Sequence, residues 1–174
     1  MAGSKLAEFE TAILPHLSAA YNLARWLTRD RHEAEDLVQE SYLKAFRFFD
    51  GFQGGDGRAW LMAIVRNTCF TWLQRNKVTA MGDVFDERLH SGFTREANAE
   101  EALLERVDSD SLRGCIEVLP VQYREVVVMR ELEELSYKEI AGITSLPVGT
   151  VMSRLARGRK RLEDCVTKKV GGQF

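Results

Sequence analysis

Near the end of the 174-residue chain, Ser136-Tyr137-Lys138-Glu139-Ile140-Ala141-Gly142 is followed closely by Pro147-Val148-Gly149-Thr150-Val151-Met152-Ser153-Arg154-Leu155-Ala156-Arg157. The chemistry on offer is recognition rather than bond making. Arg157 has the fork that matches guanine O6 and N7, and Ser153 can bond a base edge or a phosphate. Arg154, Arg159, Lys160 and Arg161 supply counter-charge to a polyanion. Gly149, Ser153 and Ala156 are small enough to let a helix sit deep in a groove. Two short helices, a tight turn and a basic second helix are the format of a helix-turn-helix. The start of that second helix also points amide donors outward, as phosphate requires.

Two further groups of residues invite a ligand. In 58–75, Arg66, Asn67 and Gln74 form the least apolar stripe, flanked by Trp60 and Phe70. Aromatic rings beside Arg and Asn suit single-stranded nucleic acid, whose bases stack on rings; the competing reading is that both rings are core. In 32–49, Asp36, Gln39, Glu40, Leu43 and Arg47 share the polar face. Leu43 is an apolar residue ringed by polar ones, either a stray exposed side chain or the anchor of a protein-binding patch. Catalysis has no such signature. His16, His32 and His90 form no motif with cysteines or acids, which excludes an enzyme reading and leaves no metal site or cofactor.

Composition agrees with a recognition protein. The net charge of −2 conceals an uneven distribution: +1 over 1–80, −8 over 81–135 and +5 over 136–174. The basic end suits phosphates, whereas the acidic middle must face something else. No apolar run approaches the roughly 20 residues of a membrane span, and the N-terminus lacks the apolar stretch of a secretory signal. Cys69, Cys115 and Cys165 are odd in number and widely spaced. They are expected to be buried thiols of a reducing compartment.

The elements that position these residues read as helices throughout. Residues 6–29 repeat apolar groups at helical spacing, with a break or kink at Pro15. Asp30 is a candidate N-cap, and Glu33 completes a capping-box pattern. On the helix 32–49, Ala34, Leu37, Val38, Ser41, Ala45 and Phe48 are expected to face inward. Gly51–Gly57, with four glycines in seven residues, must be a loop. The helix 58–75 is apolar nearly all round, as the central helix of a bundle would be. Residues 76–110 read as an acidic linker carrying at most a short helix over 97–106. Leu112–Leu119 form an amphipathic turn set, and Pro120 opens a helix 120–134. Ser136 and Glu139 make a capping box for 136–143, and Pro147 opens the last helix, 147–164. On that helix Val151, Leu155, Gly158 and Leu162 point inward. Gly149, Ser153, Ala156, Arg157 and Lys160 point outward, with Thr150, Arg154 and Met152 on the shoulders. The fold class is therefore all-α: two small helical domains, 1–76 and 111–174, joined by a flexible acidic linker, 77–110, the second domain being a helix-turn-helix.

These residues resemble bacterial RNA polymerase sigma factors of the small, two-domain extracytoplasmic-function type. Glu33-Ala34-Glu35-Asp36-Leu37-Val38-Gln39-Glu40, continuing to Phe46, is similar to the family's polymerase-binding segment. Arg58-Ala59-Trp60-Leu61 and Ile64-Val65-Arg66-Asn67-Thr68 are similar to its −10 segment. Leu119-Pro120 with the helix-turn-helix resembles its −35-binding domain. The resemblance implies that Asp36, Gln39, Glu40 and Leu43 dock on core RNA polymerase. It implies that Phe52, Gln53, Asp56, Arg58, Trp60, Arg66 and Asn67 contact the opened −10 element, the loop capturing a flipped base. It implies that Gly149, Thr150, Met152, Ser153, Arg154, Ala156, Arg157 and Lys160 read the −35 duplex. A cytoplasmic bacterial protein is implied, with promoter DNA and an anti-sigma factor as partners and no membrane insertion. The loop 53–57 is shorter and richer in glycine than usual in the family, and Met152 stands where a basic residue is common. No regulatory domain is expected after Phe174. A helix-turn-helix regulator that leaves the sigma subunit in place, or a sigma-like protein that sequesters a regulator, are the alternatives.

Overall fold

The computed structural model describes residues 2–76 and 109–171. The described residues form helices and turns without a strand, arranged as two helical domains. The possible helix over 97–106 and most of the acidic linker lie outside them.

In the N-terminal domain, α1 (Ala2–Ile13) passes through a tight turn at Leu14–His16 into α2 (Leu17–Thr28). Pro15, which has no N–H to give, marks that break as expected. Helix α3 (Arg31–Arg47) starts at Asp30, whose carboxylate accepts from the His32 and Glu33 amides at 2.9 and 3.1 Å. Only half of the anticipated capping box forms, because the Asp30 amide donates to Thr28 Oγ1 instead. Ala34, Leu37, Val38, Ser41 and Ala45 are buried, but Phe48 is 60% exposed and Phe49 is buried in its place. The cause is local: α3 ends at Arg47 and the chain turns through Phe49–Gly51, so the helical spacing that predicted an inward Phe48 no longer applies.

Helix α4 (Gly57–Arg75) is the central helix of this domain, burying Leu61, Met62, Val65, Thr68 and Cys69. It packs against α2 and α3 on its own side and against the C-terminal domain on the other. Burial, with Glu40 adding to it, pushes the Cys69 thiol up to about 12.

The C-terminal domain comprises α5 (Ser109–Glu117), α6 (Val121–Val127), α7 (Tyr137–Thr144) and α8 (Val148–Gly171). Pro120 is the cap before α6 rather than its first residue. The helix expected to run to 134 widens after Val127 into a π-type turn, Val128–Leu132, with the Glu133 amide bonded five residues back to Val128. The Ser136 and Glu139 capping box is complete, at 3.1 and 3.0 Å. Ser145 ends α7 in a left-handed conformation (φ 57°) and makes the turn into α8. Val151, Leu155, Gly158 and Leu162 are buried as expected, and α8 continues beyond Asp164, burying Val166. A Cβ on Gly158 would lie 2.7 Å from Val127 Cγ2, so its absence lets α8 close on α6. The expectation of three thiols is corrected. Cys115 on α5 and Cys165 on α8 form a disulfide with Cα atoms 5.8 Å apart, leaving Cys69 as the free cysteine. Spacing of 50 residues along the chain concealed a contact made by two packed helices.

Candidate nucleic-acid and partner interfaces

Helix α8 presents a groove lined by Tyr137, Gly149, Met152, Ser153, Leu155, Ala156 and Arg159. Gly149, Met152, Ser153 and Lys160 are exposed, Met152 by 51%, while Thr150, Ala156 and Arg157 are half-buried. Ser153 Oγ donates to the Thr150 carbonyl at 3.0 Å, which keeps the hydroxyl on the outer surface of the first turns. The remaining cations of α8 are not equivalent. Arg159 Nε donates to Glu131 at 2.8 Å, Arg161 lies over the Tyr123 ring at 5.2 Å, and Lys160 pairs with Asp164 at 3.4 Å. Arg154 is half-buried with its Nε enclosed, and its charge opposes the upward shift of the Glu125 carboxyl.

The second candidate surface is the loop before α4 together with one side of that helix. Phe52 stacks on Phe49 (5.5 Å, 21°) and tilts against Trp60 (5.1 Å), so Trp60 is both part of an aromatic cluster and half-buried at its rim. Gly54 and Gly55 take φ values of 82° and 86°, which only glycine adopts freely, and carry Gln53 outward. Asp56 caps α4 by accepting from the Ala59 amide at 3.2 Å. Burial raises the Asp56 pKa, but the backbone amides of Ala59 and Arg58 and the charge of His16 help to outweigh it, and the carboxyl is held below its usual value. Along α4, the Arg66 guanidinium lies 3.8 Å from the Phe70 ring centroid, and Asn67 is exposed beside it. Phe70 is half-buried and packed against the core at its edge.

This surface meets the C-terminal domain directly. Arg66 Nε and Nη2 donate to the two carboxylate oxygens of Glu125 at 2.8 and 3.1 Å. Burial pushes the Glu125 carboxyl up, opposed by the Arg66 hydrogen bonds and by the charges of Arg66, Arg154 and Arg124. Arg58 Nη2 donates to the Glu133 backbone carbonyl and, at 3.3 Å, to its carboxylate. Arg124, only 2% exposed, donates to the Glu117 and Leu119 carbonyls at 3.1 and 2.7 Å and across the seam to Leu27 at 3.3 Å. Glu125, Glu133 and Arg124 escaped sequence reasoning. Their one signal is a charged pair, Arg124-Glu125, inside an otherwise apolar run.

The third surface is on α3. Asp36, Gln39, Glu40 and Leu43 are all exposed, Leu43 by 71%, so helical spacing placed this face correctly. Glu40 and Lys44 pair along it at 2.9 Å. Phe46 and Phe48 are further exposed apolar residues at the end of α3, and Phe48 is hidden in the sequence because it reads as inward. Among the described residues no group of side chains is arranged to hold a metal ion, and no helix is long and apolar enough to cross a membrane.

The fold is thus a helical bundle with an exposed acid-ringed apolar patch, an aromatic and basic strip and a capped helix-turn-helix. Residues 12–79 match the family model of sigma-70 region 2, and residues 109–162 match that of sigma-70, region 4. The chain belongs to the sigma-70 family of RNA polymerase sigma factors, in its extracytoplasmic-function (ECF) group. It is 32% identical over 168 residues to the ECF RNA polymerase sigma factor SigE of Mycolicibacterium smegmatis, covering 94% of this chain and 63% of that protein. It is 35% identical over 141 residues to the ECF RNA polymerase sigma-E factor of Salmonella typhimurium, covering 77% of this chain and 74% of that one. Among solved structures, the sigma factor RpoE in complex with the anti-sigma factor NepR from Bartonella quintana has a TM-score of 0.70 and 26% identity, covering 92% of this chain and 97% of the other. CnrH in complex with the cytosolic domain of CnrY has a TM-score of 0.58 and 25% identity, covering 92% and 88%. Sigma factors are regulatory rather than catalytic proteins.

Proposed function

We propose that this chain is an alternative sigma factor that docks on core RNA polymerase through α3 and carries it to promoters through two DNA contacts. Asp36, Gln39, Glu40 and Leu43 form the docking face. Phe52, Gln53, Asp56, Arg58, Trp60, Arg66 and Asn67 engage the opened −10 strand, the rings stacking bases and the arginines meeting phosphates. Gly149, Thr150, Met152, Ser153, Ala156, Arg157 and Lys160 face the −35 duplex, with Met152 offering an apolar contact to a thymine methyl. Arg154, half-buried on the shoulder of the same helix, adds charge to that contact. The working division is 1–76 for polymerase and −10 contacts, 77–110 for the acidic linker and 111–174 for −35 contacts. The protein acts in the bacterial cytoplasm and is held in check by an anti-sigma factor.

The observation that carries this reading is Leu43, 71% exposed and surrounded by exposed Asp36, Gln39 and Glu40, in a chain that also presents a capped helix-turn-helix. A regulator binding DNA alone has no use for that patch. The test is run-off transcription with sigma-free core polymerase, the purified chain and a genomic promoter library. Promoter-specific transcripts are expected; their absence beside an active polymerase control refutes the proposal.

A further inference from the structure

We infer that the groove between Tyr137 and Met152 is a receptor for the C5-methyl group of a pyrimidine in duplex DNA. The inference rests on the proposed reading of α8 as the −35 reader and names what one side of that face selects. At about 100° per residue, Ser153 and Arg157 fall on one side of the outer face of α8, and Met152 and Arg159 on the other. The first side offers hydrogen bonds. The second borders the groove, which lies within the residues matched to sigma-70, region 4.

Two neighbours in one turn hold the walls. Arg130 lies 4.8 Å from the Tyr137 ring centroid and donates to the Leu135 carbonyl at 3.0 Å. Glu131, beside it in the π-type turn, accepts from Arg159 Nε at 2.8 Å and pairs with Nη2 through the same oxygen. Ser153, also on the rim, donates its hydroxyl to the Thr150 carbonyl. These polar side chains are thus engaged within the protein, and the surface offered to a base edge is mainly apolar: the Met152 thioether, 51% exposed, and the half-buried Ala156 methyl. A Cβ on Gly149 would meet nothing within 4 Å, so the entrance is open. Among the groups that bases present in the major groove, the apolar one is the C5-methyl of thymine. A flexible thioether closes well around so small a group. With the rim side chains engaged, the O4 of thymine and the amino group of cytosine are not distinguished there. A 5-methylcytosine opposite guanine should therefore serve as well as thymine opposite adenine.

The full chain is used to select binding duplexes from a randomised library, and competition anisotropy then follows single replacements in the selected duplex. Each thymine is replaced in turn by deoxyuridine, which keeps its pairing and loses only the methyl. At one position this should weaken binding roughly fourfold, the equivalent of the ~0.8 kcal/mol of one buried carbon. At that position cytosine should bind like deoxyuridine, and 5-methylcytosine like thymine. Met152→Ala should remove the difference between thymine and deoxyuridine, and Met152→Leu should keep it; Met152 is exposed, so neither change disturbs the core. Arg157→Ala should weaken binding of both duplexes equally. A selected duplex indifferent to every thymine methyl overturns the methyl receptor and leaves the −35 reading standing. A methyl effect that survives Met152→Ala belongs to DNA shape or to another residue, and overturns it too. Tighter binding of thymine than of 5-methylcytosine overturns the reading by methyl alone. Enrichment of no duplex at all sinks the −35 reading of α8 and this inference with it.

Discussion

Replacing Gly57 with alanine should loosen the whole N-terminal domain from one atom. Gly57 is the first residue of α4 and is buried against the end of α1. A Cβ there would lie 2.4 Å from the Ala12 carbonyl oxygen, 3.3 Å from its carbon and 3.4 Å from Ile13 Cδ1. Contacts below 3.0 Å are essentially absent from real structures, so the two backbones must part by at least ~0.6 Å. The obstacle is main chain, not a side chain that can swing away. Overpacking of this kind costs about 1–3 kcal/mol. Alanine's better helix propensity returns at most about 1 kcal/mol, and less at a first turn. The net loss is about 1–2 kcal/mol, or about 2–8 °C in Tm for a domain arrangement of this size. Thermal unfolding followed by circular dichroism reads it directly. Gly55→Ala is the comparison: nothing lies within 4 Å of its Cβ, and only the left-handed backbone (φ 86°) opposes it. Because Asp56, Arg58 and Trp60 flank Gly57, promoter opening should fall in Gly57→Ala while binding of duplex −35 DNA stays at the wild-type level. A Tm at or above that of the wild type would refute the close approach as the reason for glycine.

Charge reversal at Asp36 and Glu40 should weaken polymerase binding and spare duplex binding, with little change in Tm because the Glu40–Lys44 pair is exposed; unchanged polymerase affinity counts against the α3 interface. Arg157→Ala should cost about 1–3 kcal/mol in −35 affinity or relax its sequence preference, measured by competition with altered duplexes. Ser136→Ala removes the hydroxyl that holds the Glu139 amide at 3.1 Å. It should cost about 1 kcal/mol of stability, visible as a lower Tm with weakened duplex binding. Reducing the Cys115–Cys165 disulfide, which closes 50 residues of chain, should cost about 2–4 kcal/mol; identical melts with and without reductant would place that bond outside the stability of the domain.

Much of this molecule is legible because its signals are local. Asp30 and Ser136 cap helices through atoms two and three residues away, and Pro15 breaks a helix by its own missing N–H. The inward row Val151, Leu155, Gly158 and Leu162 and the exposed face of α3 follow from helical repeat alone. Reading by repeat fails where the repeat stops. Phe48 reads as inward because the expected helix runs two residues past Arg47, where α3 ends.

Helix positions, the DNA-reading format and the apolar patch on α3 were thus determined by the sequence itself, since each depends on contacts within a few residues. The pairing of Cys115 with Cys165 and the pairing of Arg58 and Arg66 with Glu133 and Glu125 were decided only by tertiary structure. Arg66 and Glu125 are 59 residues apart in the chain. No local pattern distinguishes an arginine that awaits a phosphate from one already held by a carboxylate, because the guanidinium meets the same geometry in both.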